Sequence, residues 1–503
     1  MHWYASAVFM CGLCEACLVY LRPYYFIAAP SVKYELREPL LRDLAHLAAR
    51  QGVELYVVGG FVRDLLMNRP RTDLDFTVVG DALHFADIVA EYFHSKAIVY
   101  ERFRTALVPV GEFHLEFVGT RKEVYTPESR NPVVTAGTLR DDIMRRDFTV
   151  NAMAISLQPD TFGELVDMCN GAADIDACLL RTPLDPVTTF NDDPLRMMRA
   201  CRFASQLGFT LHPDAYAAIQ SMASRIKIIA QERISDEFLK ILASPKPSIG
   251  LRTLHDTGLL PFVFPEVERL HGVDLVKQGA REFHHKDVFY HTLQVVDNVA
   301  AVSNDVWLRF ATLMHDIAKP KTKRFVDGVG WTFHGHEEFG ARWQDKIFRR
   351  MKLPLEHLPM VETLVRLHQR PMMLVDEGVT DSAIRRLAVH AGNWLDELFI
   401  LCRADVTTAN ENRQRRYLKN YEIVYQKILD VRERDQLAAF QSPVRGELIM
   451  EVCGLPPSRA VGVIKNNIEE AILDGIIPNN FDAAFAYLME HKDAWILSIG
   501  ERS

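Results

Sequence analysis

The chain is 503 residues long, 48% apolar and 25% charged, a balance that excludes a disordered tail-like protein and predicts about three globular domains. Its net charge of −8 argues against a uniformly basic nucleic-acid binder, although "RPRT", "RMMRACR" and "RRYLK" are local basic clusters. Eight cysteines in no regular pattern imply no disulfide framework, so a reducing cytoplasm is the expected setting.

In chain order, residues 1–32 come first. "MHWYASAVFMCGLCEACLVYL" is apolar but interrupted by Glu15, and no positive segment precedes it. Cys11, Cys14 and Cys17 have no fourth cysteine nearby. This stretch reads as an atypical extension or an ill-placed start, not as a membrane span, a signal or a metal cluster. No other segment is long and apolar enough to span a bilayer.

Residues 33–51 predict one amphipathic helix. "VELYVV" is a β-branched apolar run and predicts a buried strand. Gly59 and Gly60 then allow a tight turn and close approach to a ligand. "FVRDLLMN" predicts a short helix opening at that turn, where phosphate is attracted. "TDLDFTVV" predicts a second strand, on which Asp73 and Asp75 share a face. Two adjacent carboxylates repel unless a cation lies between them, and Mg²⁺ takes one or two carboxylates plus phosphate oxygens. The competing reading is a solvated surface hairpin; the glycine turn and Arg63 weigh against it. Further runs ("AIVYERF", "TALVPV", "FHLEFVG") alternate with the helix "DALHFADIVAEYFHS" in a compact α/β unit. Glu116, in "FHLEFVG", is either a third carboxylate or an exposed strand residue.

"DIMRRDFTVNAMAI" carries Arg145, Arg146, Asp147 and Asn151, a set suited to triphosphate and ribose contacts because arginine is the planar donor for phosphate. "DMCNGAADIDACLLRT" predicts a loop with Asp167, Gly171 and Asp174. "NDDPLRMMRACRF" places Asp193 and Arg196 three apart near a helix start, where an acid and a guanidinium can read the edge of a base. Any one of these alone fits an ordinary solvated helix or loop.

Together, G-G-x-V-R-D with D-x-D, RRDFTxNA and D-D-x-x-R-x-x-R-x-x-R-F resemble the class II tRNA nucleotidyltransferases, the CCA-adding enzymes and related bacterial poly(A) polymerases, over about residues 50–245. The resemblance implies an α+β protein: a polymerase-beta-like nucleotidyltransferase head with a mixed sheet and helices (33–180), an all-α neck with the base-recognition motif (181–246), an HD helical domain (247–440) and a helical tail (441–503). It implies that Asp73 and Asp75 hold Mg²⁺, with Glu116 a possible third catalytic carboxylate. Gly59, Gly60, Arg63 and Asp64 would lie at the incoming nucleotide. Arg145, Asp147 and Asn151 would contact triphosphate and sugar. Asp193 and Arg196 would pair with the base of CTP or ATP as a protein template, supported by Arg199. The family often shows Glu-Asp where this chain has Asp192-Asp193. The implied activity is addition of CCA to a tRNA 3′ end from CTP and ATP with release of pyrophosphate; poly(A) addition, or addition of only A or CC, is the alternative.

From about Gly250 onward nearly everything reads as helical, with the histidines crowded into it: His284, His285, His291, His315, His334, His336, His357 and His368 lie between residues 284 and 368. Several imidazoles on different helices, joined by acids, suit a metal site. The pattern H…HD…D resembles the HD phosphohydrolase superfamily. On that resemblance His291, His315, Asp316 and Asp405 bind one cation, Ni²⁺, Mn²⁺ or Co²⁺ being candidates, and His336 and His368 could hold a second. The alternative is a degenerate HD body that only binds RNA, or an HD hydrolase whose front half is the RNA-binding module. The tail, with Lys465 between glycine turns, resembles the C-terminal part of HD-bearing nucleotidyltransferases, where contact with the tRNA elbow is expected.

Overall fold

Alternation of apolar and polar residues sets up the first sheet. In a computed structural model, which describes residues 32–500 except 71–72, 102–103, 127–128, 274–276, 279–280, 283–286, 327–329, 376–379 and 436–441, the first strand β1 spans Glu54–Val58 and β2 spans Asp73–Val79. Expectations for residues 1–31, including the cysteine cluster, and for His284 and His285 lie outside the described residues. The chain forms two compact units, one of residues up to 123 and 134–173, the other of 124–133 and 174 onward.

The first unit is built on a seven-stranded mixed sheet. With β3 at Ile98–Tyr100, β4 at Thr105–Val110, β5 at Phe113–Gly119, β8 at Met153–Ser156 and β9 at Leu165–Asp167, its order is β3-β4-β5-β2-β1-β8-β9. Strands β6 (Arg121–Thr126) and β7 (Ser129–Ala136) pair separately. All neighbours in the large sheet are antiparallel except β2 and β5, which run parallel after the crossover through α3 (Ala82–Tyr92). Asp81 starts α3 by accepting the Leu83 and His84 amides, the usual service of an N-cap carboxylate.

On β2 the inward positions are Leu74, Phe76 and Val78, all fully buried. Phe76 stacks on Phe117 of β5 at 5.0 Å, and Phe85 of α3 meets Phe117 edge-on. Period-two geometry sends Asp73, Asp75 and Thr77 to the other face. The N-terminal helix begins at Pro39, not near Lys33, because proline sets the first helical φ; residues before it are extended, and Lys33 bridges Glu164 beside β9.

The second unit is almost entirely helical. Its aromatic core includes Phe238, Phe264, Phe310 and Phe348. Arg309, only 2% exposed, donates to the carbonyls of Leu242, Ser244, Ala300 and Ser303, tying the end of helix Gln231–Leu242 to helix Val306–Met314. Two short hairpins interrupt the otherwise helical stretch after Gly250, Lys277–Gln278 with Arg281–Glu282 and Arg324–Val326 with Gly330–Thr332. The last helices pack around their own apolar cluster of Val444, Ile449, Ile464, Ile468, Ala484 and Leu488.

Candidate functional site

The turn between β1 and the next helix, α2 (Gly60–Leu66), depends on Gly59. Its φ of 70° and ψ of −132° mirror the extended region, which only glycine populates readily. A Cβ there would also stand 2.9 Å from Nη1 of Arg146 and 3.4 Å from Oδ2 of Asp75. The backbone at Gly59 is therefore flanked by a guanidinium on one side and a carboxylate on the other.

Asp75 pairs across β5 with Glu116, and Asp73 with His114. On parallel neighbours such partners point to one face, so three carboxylates share this edge. Asp73 is exposed, with His114 Nδ1 3.8 Å from its Oδ1. Burial and then the charge of Asp75 push the Glu116 pKa up, partly opposed by Arg121. A carboxyl whose pKa is raised by burial and by a neighbouring carboxylate is a candidate donor for a divalent cation.

Thr77, next on that face, donates to Oδ2 of Asp142 at 3.1 Å. Asp142, in α4 (Leu139–Met144), has no exposed surface and holds both Arg145 and Arg146 at the i+3 and i+4 positions. Burial acts to raise its pKa, but Arg146 and Arg145 outweigh burial and hold it below the usual carboxylate value. The sequence singles out Arg145 of the pair; Arg146 is the one beside Gly59 and Asp75, and its buried Nε has no partner among the described residues. The signal for it was legible as D-x-x-R-R on one helical face.

Arg63, Asp64, Asp147 and Asn151 are each 6–7% exposed. They bond to one another: Arg63 donates to Asp64 at 2.8 Å and to Oδ1 of Asn151 at 2.7 Å, while Asn151 donates to Asp147 at 3.2 Å. Gly60 opens α2 directly above this chain. The expected loop at 167–182 is partly helical: Asp167 accepts the amides of Cys169, Gly171 and Ala172, starting helix Gly171–Asp176. Gly171 is required there, since a Cβ would meet the Thr149 carbonyl at 2.3 Å.

In the second unit Asp193 and Arg196 straddle the break between helices Pro186–Asp192 and Leu195–Leu207. One Asp193 oxygen accepts the Leu195 amide at 3.1 Å, and the other lies 3.8 Å from Arg233. Arg196 donates to the Thr189 carbonyl at 3.3 Å. Arg199 lies over the Phe203 ring at 5.3 Å. Arg233 went unnoticed because it is 40 residues away in sequence.

The histidine cluster is assembled from helix ends. His291 lies in helix Val288–Ala300, His315 and Asp316 follow helix Val306–Met314, and His336 opens helix His336–Met351. His368 and Asp405 end the helices Leu358–Leu367 and Leu395–Ala404. The Nδ1 atoms of His315, His336 and His368 face the carbonyls of Thr312, Phe333 and Val365 at 2.6, 2.8 and 2.7 Å, and that of His291 faces Thr407 at 3.0 Å. A ring anchored through Nδ1 offers its Nε2 to a metal.

Those Nε2 atoms converge. Asp405 Oδ1 lies 2.9 Å from His291 and 3.7 Å from His315. Asp316 presents Oδ2 to His315 at 3.1 Å and Oδ1 to His336 at 3.2 Å and His368 at 3.8 Å. The donors form two triads, His291-His315-Asp405 and Asp316-His336-His368, each with its ligand atoms within 4.8 Å of one another. Asp316 lies between them. The Nε2 of His315 is buried and faces the Asp316 and Asp405 carboxylates, where a cation would join all three. Burial opposes charge on His315, yet Asp316 and Asp405 lift its pKa to about 9. Burial, reinforced by the charge of His315, lowers His368 to about 3. Burial resists ionisation of Asp405, but His291 and His315 bring it to about 2. Lys319, one turn after Asp316, reaches its Oδ2 at 2.7 Å. His334 is exposed and His357 stacks on Trp307 at 4.2 Å, so neither joins the cluster.

Residues 55–181 match the Poly A polymerase head domain, 208–270 the probable RNA and SrmB-binding site of polymerase A, and 288–410 the HD domain. The chain is 36% identical to the Multifunctional CCA protein of Methylococcus capsulatus over 70% of its own length and 81% of the relative's. It is 31% identical to the A-adding tRNA nucleotidyltransferase of Deinococcus radiodurans, covering 82% and 90%. Among solved structures it shares its fold with a CCA-adding enzyme in complex with CTP, at a TM-score of 0.57 and 20% identity over 90% of this chain and 94% of that one. A second is a tRNA nucleotidyltransferase with a primer tRNA and an incoming ATP analog, at 0.56 and 21% over 77% and 99%. The polymerase-type head and the HD domain both imply use of divalent metal, and no described helix is long and apolar enough to cross a membrane. By motif, fold and relatedness, the chain belongs to the class II tRNA nucleotidyltransferase family of CCA-adding and poly(A)-polymerase-type enzymes, with an HD domain following the head.

Proposed function

We propose that the chain adds CCA to tRNA 3′ ends from CTP and ATP in the cytoplasm, the head (33–180) binding the triphosphate and the neck (181–246) selecting the base. The observation that carries this is the juxtaposition of the Asp75–Glu116 pair, the Gly59 turn and Arg146. In the reaction the RNA 3′ oxygen bonds to the α-phosphorus, the bond from that phosphorus to the β-bridging oxygen breaks, and pyrophosphate leaves. Mg²⁺ bound by Asp73, Asp75 and Glu116 would supply charge neutralisation at the attacking and leaving oxygens. Arg145 and Arg146, aimed by Asp142, hold the triphosphate. Gly59 and Gly60 let it approach the backbone, and the Arg63-Asp64-Asn151-Asp147 chain keeps that wall rigid and meets the sugar. Asp193 and Arg196 offer an acceptor and a donor to the base edge, with Arg199 and Arg233 positioning them.

The test incubates the protein with tRNA lacking its 3′ end, Mg²⁺ and single or mixed NTPs, then sequences the product ends. Ordered CCA is expected; A alone or a poly(A) run would assign the narrower or alternative reading. Asp75→Ala should abolish incorporation. Arg196→Ala should lose discrimination of CTP and ATP from UTP and GTP by about 1–3 kcal/mol, and unchanged selectivity would sink the template role.

A second reading rests on the two histidine triads. The HD cluster is a phosphohydrolase centre for RNA ends: His291, His315 and Asp405 would hold one transition-metal ion and Asp316, His336 and His368 a second, Ni²⁺, Mn²⁺ or Co²⁺, which would activate water and neutralise phosphate charge. There water's oxygen bonds to phosphorus, one P–O bond to the sugar breaks, and the released oxygen takes the proton.

A further inference from the structure

The acidic residues Asp75 and Glu116 stand in the middle of the seven-stranded sheet, and the order of its strands sorts the two substrates. To one side of Asp75 lie β1, the Gly59 turn and Arg146, the wall assigned to the triphosphate. To the other side lie β5, β4 and β3, with β3 at the edge of the sheet. Pyrophosphate leaves along the triphosphate wall, so an in-line attack brings the RNA oxygen from the opposite side. That side is the surface over β5 and the two strands beyond it.

Register decides what those strands present. Asp75 pairs with Glu116, Glu116 with Leu107 and Leu107 with Ile98. The neighbouring row runs from Asp73 through His114 to Pro109. Tyr100 pairs with Thr105, two residues from Leu107 and therefore on the same side. Paired residues share a face, so the carboxylate face continues outward as Leu107, Pro109, Ile98 and Tyr100. The reverse face of these strands is closed: Ala106, Val108, Leu115 and Phe117 are fully buried there, with Phe85 of α3 against Phe117. The carboxylate face stays open, for Ile98 is 47% and Tyr100 49% exposed, while Leu107 and Pro109 are half-buried. At about 4.8 Å per strand, this apolar shelf reaches about 10 Å beyond Glu116. Lys96, two residues before Ile98, and Arg104, just before β4, are exposed at the two ends of β3. An exposed ring and aliphatic side chains bounded by cations suit unpaired bases, which stack whatever their identity, with phosphates held at the rim.

We propose that the outer strands β3 and β4 seat the unpaired 3′ end of the acceptor RNA: the last base lies over Leu107 and Pro109, and the base before it stacks on Tyr100 beside Ile98. Lys96 and Arg104 hold the phosphates between them. The seat delivers the 3′ oxygen to Asp73, Asp75 and Glu116 from the side away from Arg146. This rests on the reading of those carboxylates as the nucleotide-adding centre. Tyr100 is a positioning residue for the RNA and touches no part of the incoming nucleotide.

The experiment measures addition of ATP to tRNA lacking only its final A, and of CTP to tRNA lacking all of CCA, by wild type, Tyr100→Ala, Tyr100→Phe and Val99→Ser. Val99 is on the same strand but pairs with Ala106 on the reverse face, so it controls for loosening of the edge. Tyr100→Ala should raise KM for the tRNA about tenfold, with kcat and KM for the nucleotide within twofold of wild type. Tyr100→Phe keeps the ring and should match wild type, as should Val99→Ser. A tRNA lacking the base of its second-last nucleotide should cost wild type the same tenfold and cost Tyr100→Ala nothing further. A tRNA KM within twofold of wild type for Tyr100→Ala overturns the proposal, as does equal damage by Val99→Ser or an undiminished loss on the abasic RNA. If wild type extends neither tRNA, the nucleotide-adding reading itself fails. The seat is then judged by the Kd of the same fluorescently labelled tRNAs: about tenfold weaker binding by Tyr100→Ala alone supports it, and equal affinity overturns it.

Discussion

Replacing Gly59 by alanine perturbs two things at once, and the geometry separates them. The φ of 70° and ψ of −132° place an L-residue in a region it rarely visits, a strain of about 1–3 kcal/mol. The new Cβ would also sit 2.9 Å from Arg146 Nη1, about 0.5 Å or more short of ordinary contact. Arg146 cannot yield freely, because Asp142 grips it from a fully buried position. Displacement therefore falls on the guanidinium and on Asp75, and misplacing reacting groups on this scale costs about tenfold to a hundredfold in rate. Gly52 is the control. It has φ 65° at the end of α1 (Pro39–Gln51), with nothing within 4 Å of its Cβ direction. Gly52→Ala should cost about 1 kcal/mol of stability and leave nucleotide incorporation close to wild type. Thermal melts and kcat/KM for CTP incorporation, measured on both variants, make the comparison. Equal destabilisation with equal activity would refute the claim that Gly59 keeps space for Arg146 and Asp75.

Asp142→Asn should cost the head about 2–4 kcal/mol at pH 7, because two arginines lose a buried counter-charge. The carboxylate's pKa is lowered in the fold, so its stabilisation is present above the unfolded value near 3.9 and disappears as pH falls through the lower folded value. Denaturant titrations between pH 6 and pH 3 should accordingly show a shallower loss for Asp142→Asn than for wild type, and parallel curves would contradict the assignment. Asp316→Ala, which removes the carboxylate of the Asp316-His336-His368 triad that also faces His315, should abolish hydrolysis of phosphate esters and lower bound transition metal while CCA addition continues; metal analysis and the two activity assays decide it, and loss of addition by the well-folded variant would show the activities to be coupled.

Much of the site was legible in residue order because its chemistry is local. A strand's period of two is enough to put Asp73 and Asp75 on one face, and a helix's 3.6-residue turn is enough to put Arg145 and Arg146 over Asp142. The motif strings identify the family for the same reason: each is a single turn, strand or helix start. What the order of residues left undecided was which groups meet across elements. Glu116 became a partner of Asp75 only through the parallel register of β2 and β5, which a crossover of 33 residues between Val79 and Phe113 establishes. Arg146 outranked Arg145 at the glycine turn because of how α4 packs on the sheet. Of the histidines between 284 and 368, the HD resemblance pointed to His291, His315, His336 and His368, and helix packing brings those four together while His357 stacks on Trp307 and His334 stays in solvent. Local periodicity is encoded by covalent geometry, whereas register and helix-end convergence are settled by which apolar faces must be covered, and that is a property of the whole folded chain.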